Sequence, residues 1–279
     1  MKALCIKLVG FVLISSVSLM ASGPRVTSAL FTPIQNEIVA VETQPFYSSQ
    51  NPSGGMMFEI VKAALNSEKE SATLTTYPVQ NMVNYYLTQE KVLAALGTNF
   101  NLSKVEKKSL VIIPIALIRE QYIYYKPAYP KGISWSGKLS ELKGLRYGAN
   151  KGEDTSAYKK AEIKVVFGQS RFLFKKLKTQ KIDFIKEPVL SAKAMIDTNF
   201  ASDKNKFGIM ESAPQKSVCM ILFNLKNPEA KEISKKFING LSAILKNGQY
   251  QAIIEKYEEN RSISSKHVIE FKKLWKNSY

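Results

Sequence analysis

The chain has one histidine and two cysteines among its 279 residues. With His267 as the only imidazole, histidine-based metal sites and Ser-His triads drop out of consideration. Cys5 lies in an N-terminal segment that export would remove, which leaves Cys219 with no partner for an internal disulfide. Cys219 stands in the apolar run Val218-Cys219-Met220-Ile221-Leu222-Phe223 and reads as a buried, inert thiol rather than a nucleophile. Past the N-terminal segment there is no long apolar run, so the remaining chain is expected to be soluble. Internal repeats and low-complexity tracts are also missing. Acidic residues are few: 23 Asp and Glu against 40 Lys and Arg, for a formal charge of +17, two units of which belong to Lys2 and Lys7.

Such a charge suits nucleic acid or an anionic membrane surface. The lysines, however, are spread along the whole chain. Their densest cluster, Lys175, Lys176, Lys178 and Lys181, falls on a predicted helix and reads as a solvated face. Export argues further against nucleic acid. The export signal itself comes first in the chain. Lys2 and Lys7 precede the apolar stretch Leu8 to Leu13, and the small residues Ala21, Ser22 and Gly23 follow. That order predicts a signal peptide over 1–23; the competing reading is an uncleaved anchor, for which the apolar core is short.

From residue 37 onward, strand-like and helix-like segments alternate. Strands are predicted over Glu37 to Thr43, Ala72 to Tyr77, Val92 to Leu96, Leu145 to Ala149, Ile163 to Phe167 and Ile182 to Ile185. Met57, Ile60, Val61, Ala64 and Leu65 recur at helical spacing, and Val79 to Leu87 reads as a helix. Gly152 opens another helix, Ser170 caps one through Lys178, and Pro188 takes a first helical position. Asn227-Pro228-Glu229 starts a helix striped by Ile233, Phe237, Leu241 and Ile244 and stopped by Asn247-Gly248; Tyr250 to Tyr257 makes one more. Alternating β and α elements predict an α/β fold with parallel-rich sheets.

Four segments in order carry a resemblance. They are Pro45-Phe46-Tyr47 with Gly55 and the helix from Met57 to Ala64; Leu139 to Gly148 with Lys151-Gly152; Lys181-Ile182-Asp183-Phe184-Ile185; and Leu245 to Tyr257. Over roughly residues 37 to 258 the chain resembles the bacterial extracellular solute-binding proteins of family 3, the amino-acid type of ABC-transporter receptor. The resemblance implies a two-lobed, type II periplasmic-binding-protein-like fold whose hinge is two crossover segments, near Ile118 to Tyr124 and Ala213 to Val218. Lobe 1 would take 24–118 and 218–258, an inserted lobe 2 would take 119–217, and 259–279 would be a helical extension. It also implies a monomer in the periplasm that binds a small polar molecule, docks on ABC-transporter membrane subunits, and uses no cofactor, metal or nucleic acid.

The resemblance places the ligand between the lobes. On lobe 1, Phe46 and Tyr47 would stack on it and Gln44 would add a hydrogen bond, while ordinary core is the other reading of Phe46. Thr98 and Asn99, after the third strand, offer a hydroxyl and backbone N–H groups, or form a plain turn. Relatives carry an arginine that grips an α-carboxylate; here Lys104 aligns with it, a point charge instead of a fork, or a merely solvated lysine. On lobe 2, Gly152 and Glu153 open a helix whose free N–H groups attract an anion unless its own acids satisfy them. Ser170 begins the next helix in the same way. Glu187 occupies the place of an aspartate that binds the ligand's amino group, with a surface Glu as the alternative. Two other functions stay open: a sensing or partner-binding module without transport, and a dehydratase-like enzyme using Glu187 and Lys104 as an acid/base pair. The tail residues Val268, Phe271, Leu274 and Trp275 share a helical face that either packs on lobe 1 or docks on a membrane or partner surface.

Overall fold

The structure, a computed structural model, describes residues 36–98, 100, 107–211, 215–258 and 260–278; the expected signal peptide, Asn99, Lys104 and Ala213 lie outside these. The chain runs β1 (Glu37–Val41), α1 (Met56–Ser67), β2 (Thr73–Tyr77), α2 (Gln80–Leu87), β3 (Val92–Gly97) and β4 (Leu110–Tyr125). It continues through β5 (Arg146–Asn150), α3 (Ser156–Lys160), β6 (Lys164–Gly168), α4 (Ser170–Lys178), β7 (Phe184–Pro188) and α5 (Val189–Asn199). Then come β8 (Phe207–Ile209), β9 (Gln215–Asn224), α6 (Ala230–Asn247), α7 (Gln249–Tyr257) and α8 (Arg261–Ser278).

Ile38, Val39 and Ala40 are fully buried, which makes β1 a two-faced core strand flanked in parallel by β2 and β3. Helix α1 starts where the chain turns sharply at Gly55, with φ of 90°. A Cβ there would lie 2.6 Å from the Pro45 carbonyl oxygen, so only glycine lets the loop fold back. In return, the Met56 and Met57 amides donate to the Pro45 and Phe46 carbonyls and satisfy the start of the helix. Helix α6 buries Ile233, Phe237, Leu241 and Ile244 and lies so close to α1 that a Cβ on Gly240 would sit 1.9 Å from the Ala64 carbonyl oxygen.

All nine described strands join one sheet, in the order β2-β1-β3-β9-β4-β7-β5-β6, with β8 also on β4. Strands β4 and β9 are antiparallel from Leu110↔Asn224 to Glu120↔Gln215 and carry the chain from one half of the molecule to the other. The apolar core divides where they cross. The largest cluster draws on residues between Ile38 and Ile118 and between Cys219 and Trp275; two others draw on residues between Tyr122 and Met210. The molecule is therefore two-lobed, and the sheet is continuous through both lobes.

Three local readings of the sequence are corrected. The helix expected to open at Gly152 begins at Ser156, because Gly152 turns with φ of 91° and Glu153 folds inward. Ser170 is the first residue of α4, not its cap, and Gln169 holds the cap position. Pro188 ends β7 and caps α5 rather than entering it.

Candidate functional site

Strands β5, β6 and β7 are parallel, so their C-terminal ends open on one edge of lobe 2. Asn150 is the last residue of β5, Ser170 follows β6, and Glu187 lies at the end of β7. Glu187 is 5% exposed, and its Oε1 accepts a hydrogen bond from Asn150 Nδ2 at 3.3 Å. Burial pushes the Glu187 carboxyl up to about 7, against the hydrogen bonds from Ser170 and Asn150, with Glu153 and Glu120 adding repulsion. Glu153 is also raised by burial. It accepts from the Tyr147 hydroxyl at 2.5 Å and from the Asn150 amide at 3.1 Å, so it secures the β5 turn from within. Next to it Lys186 pairs with Glu120 at 3.3 Å; burial alone would lower the Lys186 ammonium, but Glu120 and Glu153 hold it up. Lobe 2 thus presents a carboxylate-rich edge.

Lobe 1 offers the matching edge, at the ends of parallel β1, β2 and β3. Glu42 follows β1. Its Oε2 accepts from the Thr76 hydroxyl at 2.6 Å and from the Ser49 amide at 3.1 Å, while its Oε1 is buried with no hydrogen-bond partner among the described residues. The sequence reading passed over Glu42 in favour of the aromatics beside it; a carboxylate at the end of a parallel core strand was the available signal. Half-buried Thr98 lies just past β3. The two edges meet: the Ser191 hydroxyl of α5 donates to the Gln44 carbonyl oxygen at 2.7 Å, and a methyl placed on Gly152 would lie 3.9 Å from Gln80 Cβ. The lobes touch at these two places.

Phe46 and Tyr47 are placed differently from what stacking would need. Both belong to the main lobe 1 core, and the Tyr47 hydroxyl is 2.8 Å from Cys219 Sγ. The Cys219 thiol is buried and pushed up to about 12, so it stays protonated. Gln44 is exposed and meets lobe 2 through its backbone carbonyl. Gly152 lies at the lobe junction, Glu153 faces inward, and Ser170 and Glu187 come together.

Among solved structures, the ligand-binding core of GluR0 from Nostoc punctiforme in complex with L-glutamate matches with a TM-score of 0.61 at 17% identity, over 81% of this chain and 100% of that one. An arginine transport system periplasmic binding protein from Legionella pneumophila matches with a TM-score of 0.61 at 16% identity, over 81% and 100%. A histidine kinase sensor domain with similarity to periplasmic binding proteins gives 0.63 at 13%, over 80% and 95%. The chain has the fold of periplasmic binding proteins. No family model matches the sequence, and no curated protein matches it. At such identities the periplasmic-binding-protein likeness speaks for the fold, and it agrees with the resemblance carried by the four segments.

Proposed function

We propose that the protein is a periplasmic solute-binding protein whose lobes close on a small organic cation bearing an amino group. One observation carries this: Glu187, nearly fully buried at the mouth of three parallel strands, with a carboxyl raised to about 7. A buried carboxylate so placed is an unfinished ion pair, and a ligand ammonium completes it. Glu42 supports the reading from the other lobe, through its unpartnered buried oxygen. Ser170 and Asn150 orient Glu187, and Gln44 and Gly152 act where the lobes touch. In this reading the chain is exported by 1–23, lobe 2 is 119–217, the protein is a monomer that hands its ligand to ABC-transporter membrane subunits, and it performs no catalysis.

The test is a thermal-shift screen against basic amino acids, polyamines, organic acids and short peptides, since a ligand that binds only the folded state raises the melting temperature. The expected result is stabilisation by amines that is lost in Glu187→Gln. Stabilisation by organic acids alone would overturn the proposal.

A further inference from the structure

Arg119 on β4 and Lys216 on β9 are direct partners in the ladder that joins the lobes. Each also forms an ion pair with the C-terminal segment. Arg119 meets both carboxylate oxygens of Glu258, at 3.0 and 2.8 Å, and Lys216 meets Glu270 at 2.8 Å. The segment is anchored on lobe 1 by the stack of Phe271 on Tyr250 and by buried Val268 and Trp275. It therefore grips both crossover strands at the same rung, at the point where the two cores part.

His267 sits inside that grip. It is 4% exposed, and neither ring nitrogen has a hydrogen-bond partner among the described residues; the same holds for Arg119 Nε. The charged groups facing it are Glu258 after α7, Arg119 on β4, Glu270 on its own helix and Lys216 on β9. The rest of the small cavity it lines with Arg119 and Glu258 is apolar, and part of that wall, Val189 and Leu190, comes from α5 of lobe 2. Val189 and Leu190 follow directly on Pro188, the β7 partner of Glu120 on β4, so this lobe 2 surface faces the same cavity as the imidazole at the hinge itself.

We infer that α8 is a clamp on the hinge, and that protonation of His267 releases it and opens the lobes. This rests on reading β4 and β9 as a hinge between lobes that move. A neutral imidazole tolerates the apolar wall. An imidazolium there needs hydrogen-bond acceptors, competes with Arg119 for Glu258, and repels Arg119 and Lys216. Withdrawing Val189 and Leu190 admits water and relieves all three. Burial holds the His267 pKa below its ordinary value, so the clamp is intact at neutral pH and yields only in acid.

The experiment uses the ligand-free protein, purified without a histidine tag. As the chain's single histidine, His267 gives one unambiguous imidazole titration by NMR. Solution scattering over the same pH range reports the radius of gyration. The expected result is expansion on acidification with the same midpoint as the His267 titration, retained in Glu187→Gln and abolished in His267→Gln. Glu270→Gln, which cuts the exposed arm of the clamp, should expand the protein already at pH 7.5. Expansion at a pH unrelated to the His267 titration, or a Glu270→Gln protein as compact as the parent, would overturn the inference even if ligand still compacts the molecule. Absence of any expansion or compaction, with acid or with a ligand found in the screen, would overturn both the clamp and the moving-lobe reading.

Discussion

The Asn150 side-chain amide donates to Glu187 Oε1 at 3.3 Å, so the carboxylate near the end of β7 is held by a neutral group of the neighbouring strand. A neutral donor orients a carboxylate without discharging it, and this leaves its charge available to a ligand. Glu187→Gln should therefore weaken amine binding by about 1.5–3 kcal/mol, the range for charged hydrogen bonds. The same change should stabilise the empty protein at pH 8 by roughly 1–3 kcal/mol, because it removes a carboxylate that folding buries in ionised form. Calorimetric titration and melting at pH 8 check the two halves. A variant that loses both affinity and stability would mark Glu187 as structural.

The pH dependence follows from the same group. The Glu187 pKa is raised on folding from its ordinary value of 4.5 to about 7. Its contribution to stability is then full below about 4.5 and is lost as pH rises through 7. A bound ammonium reverses the preference by holding the carboxylate ionised, so binding below pH 7 releases a proton. Amine affinity should rise with pH, by up to about tenfold per unit below 7, and level off above 8. Affinities measured from pH 5.5 to 8.5 test this, and a flat profile in the parent would contradict it.

Tyr47 supplies a test of the lobe 1 aromatics. Its hydroxyl bonds with Cys219 inside the core, so Tyr47→Phe should cost about 1 kcal/mol of stability, the worth of one buried hydrogen bond. Ligand affinity should not change. A tenfold loss of affinity with unchanged stability would return Tyr47 to the binding surface.

The tail carries a larger share of stability. Phe271 is fully buried and stacks on Tyr250 with centroids 5.2 Å apart. Phe271→Ala should cost about 3–5 kcal/mol by chemical denaturation, as for other buried aromatic truncations. Truncation after Asn260 should destabilise at least as much. An unchanged melting temperature would mean that α8 docks elsewhere.

Much of the α/β order was legible because its elements are local. β1 shows four consecutive apolar residues, α6 shows a four-residue stripe, and the helix expected to open at Gly152 begins only four residues later. β4 was not legible as a strand. It runs sixteen residues, includes Pro114 at a break in register and Arg119-Glu120 in its middle, and on its lobe 1 half pairs, among the described residues, only with β9. Proline is tolerated at such a break, where the ladder is already interrupted. At the candidate site, Glu187 was legible only through the resemblance, which implies a ligand-binding acid at that place. The core placement of Tyr47 depends on Cys219, 172 residues away, and the pairing of Arg119 with Glu258 spans 139. No periodicity announces contacts at such separations.

The ladder between β4 and β9 has a last consequence. Glu120 and Gln215 face each other as its final rung, so everything between them leaves and returns at one point. Topologically, the whole of lobe 2 is the loop of a β-hairpin. Its removal would leave two chain ends one strand-spacing apart, which a two-residue turn can join. The described strands and helices of lobe 1 thus come from the chain on either side of that loop, and the loop could be exchanged for another without re-threading them.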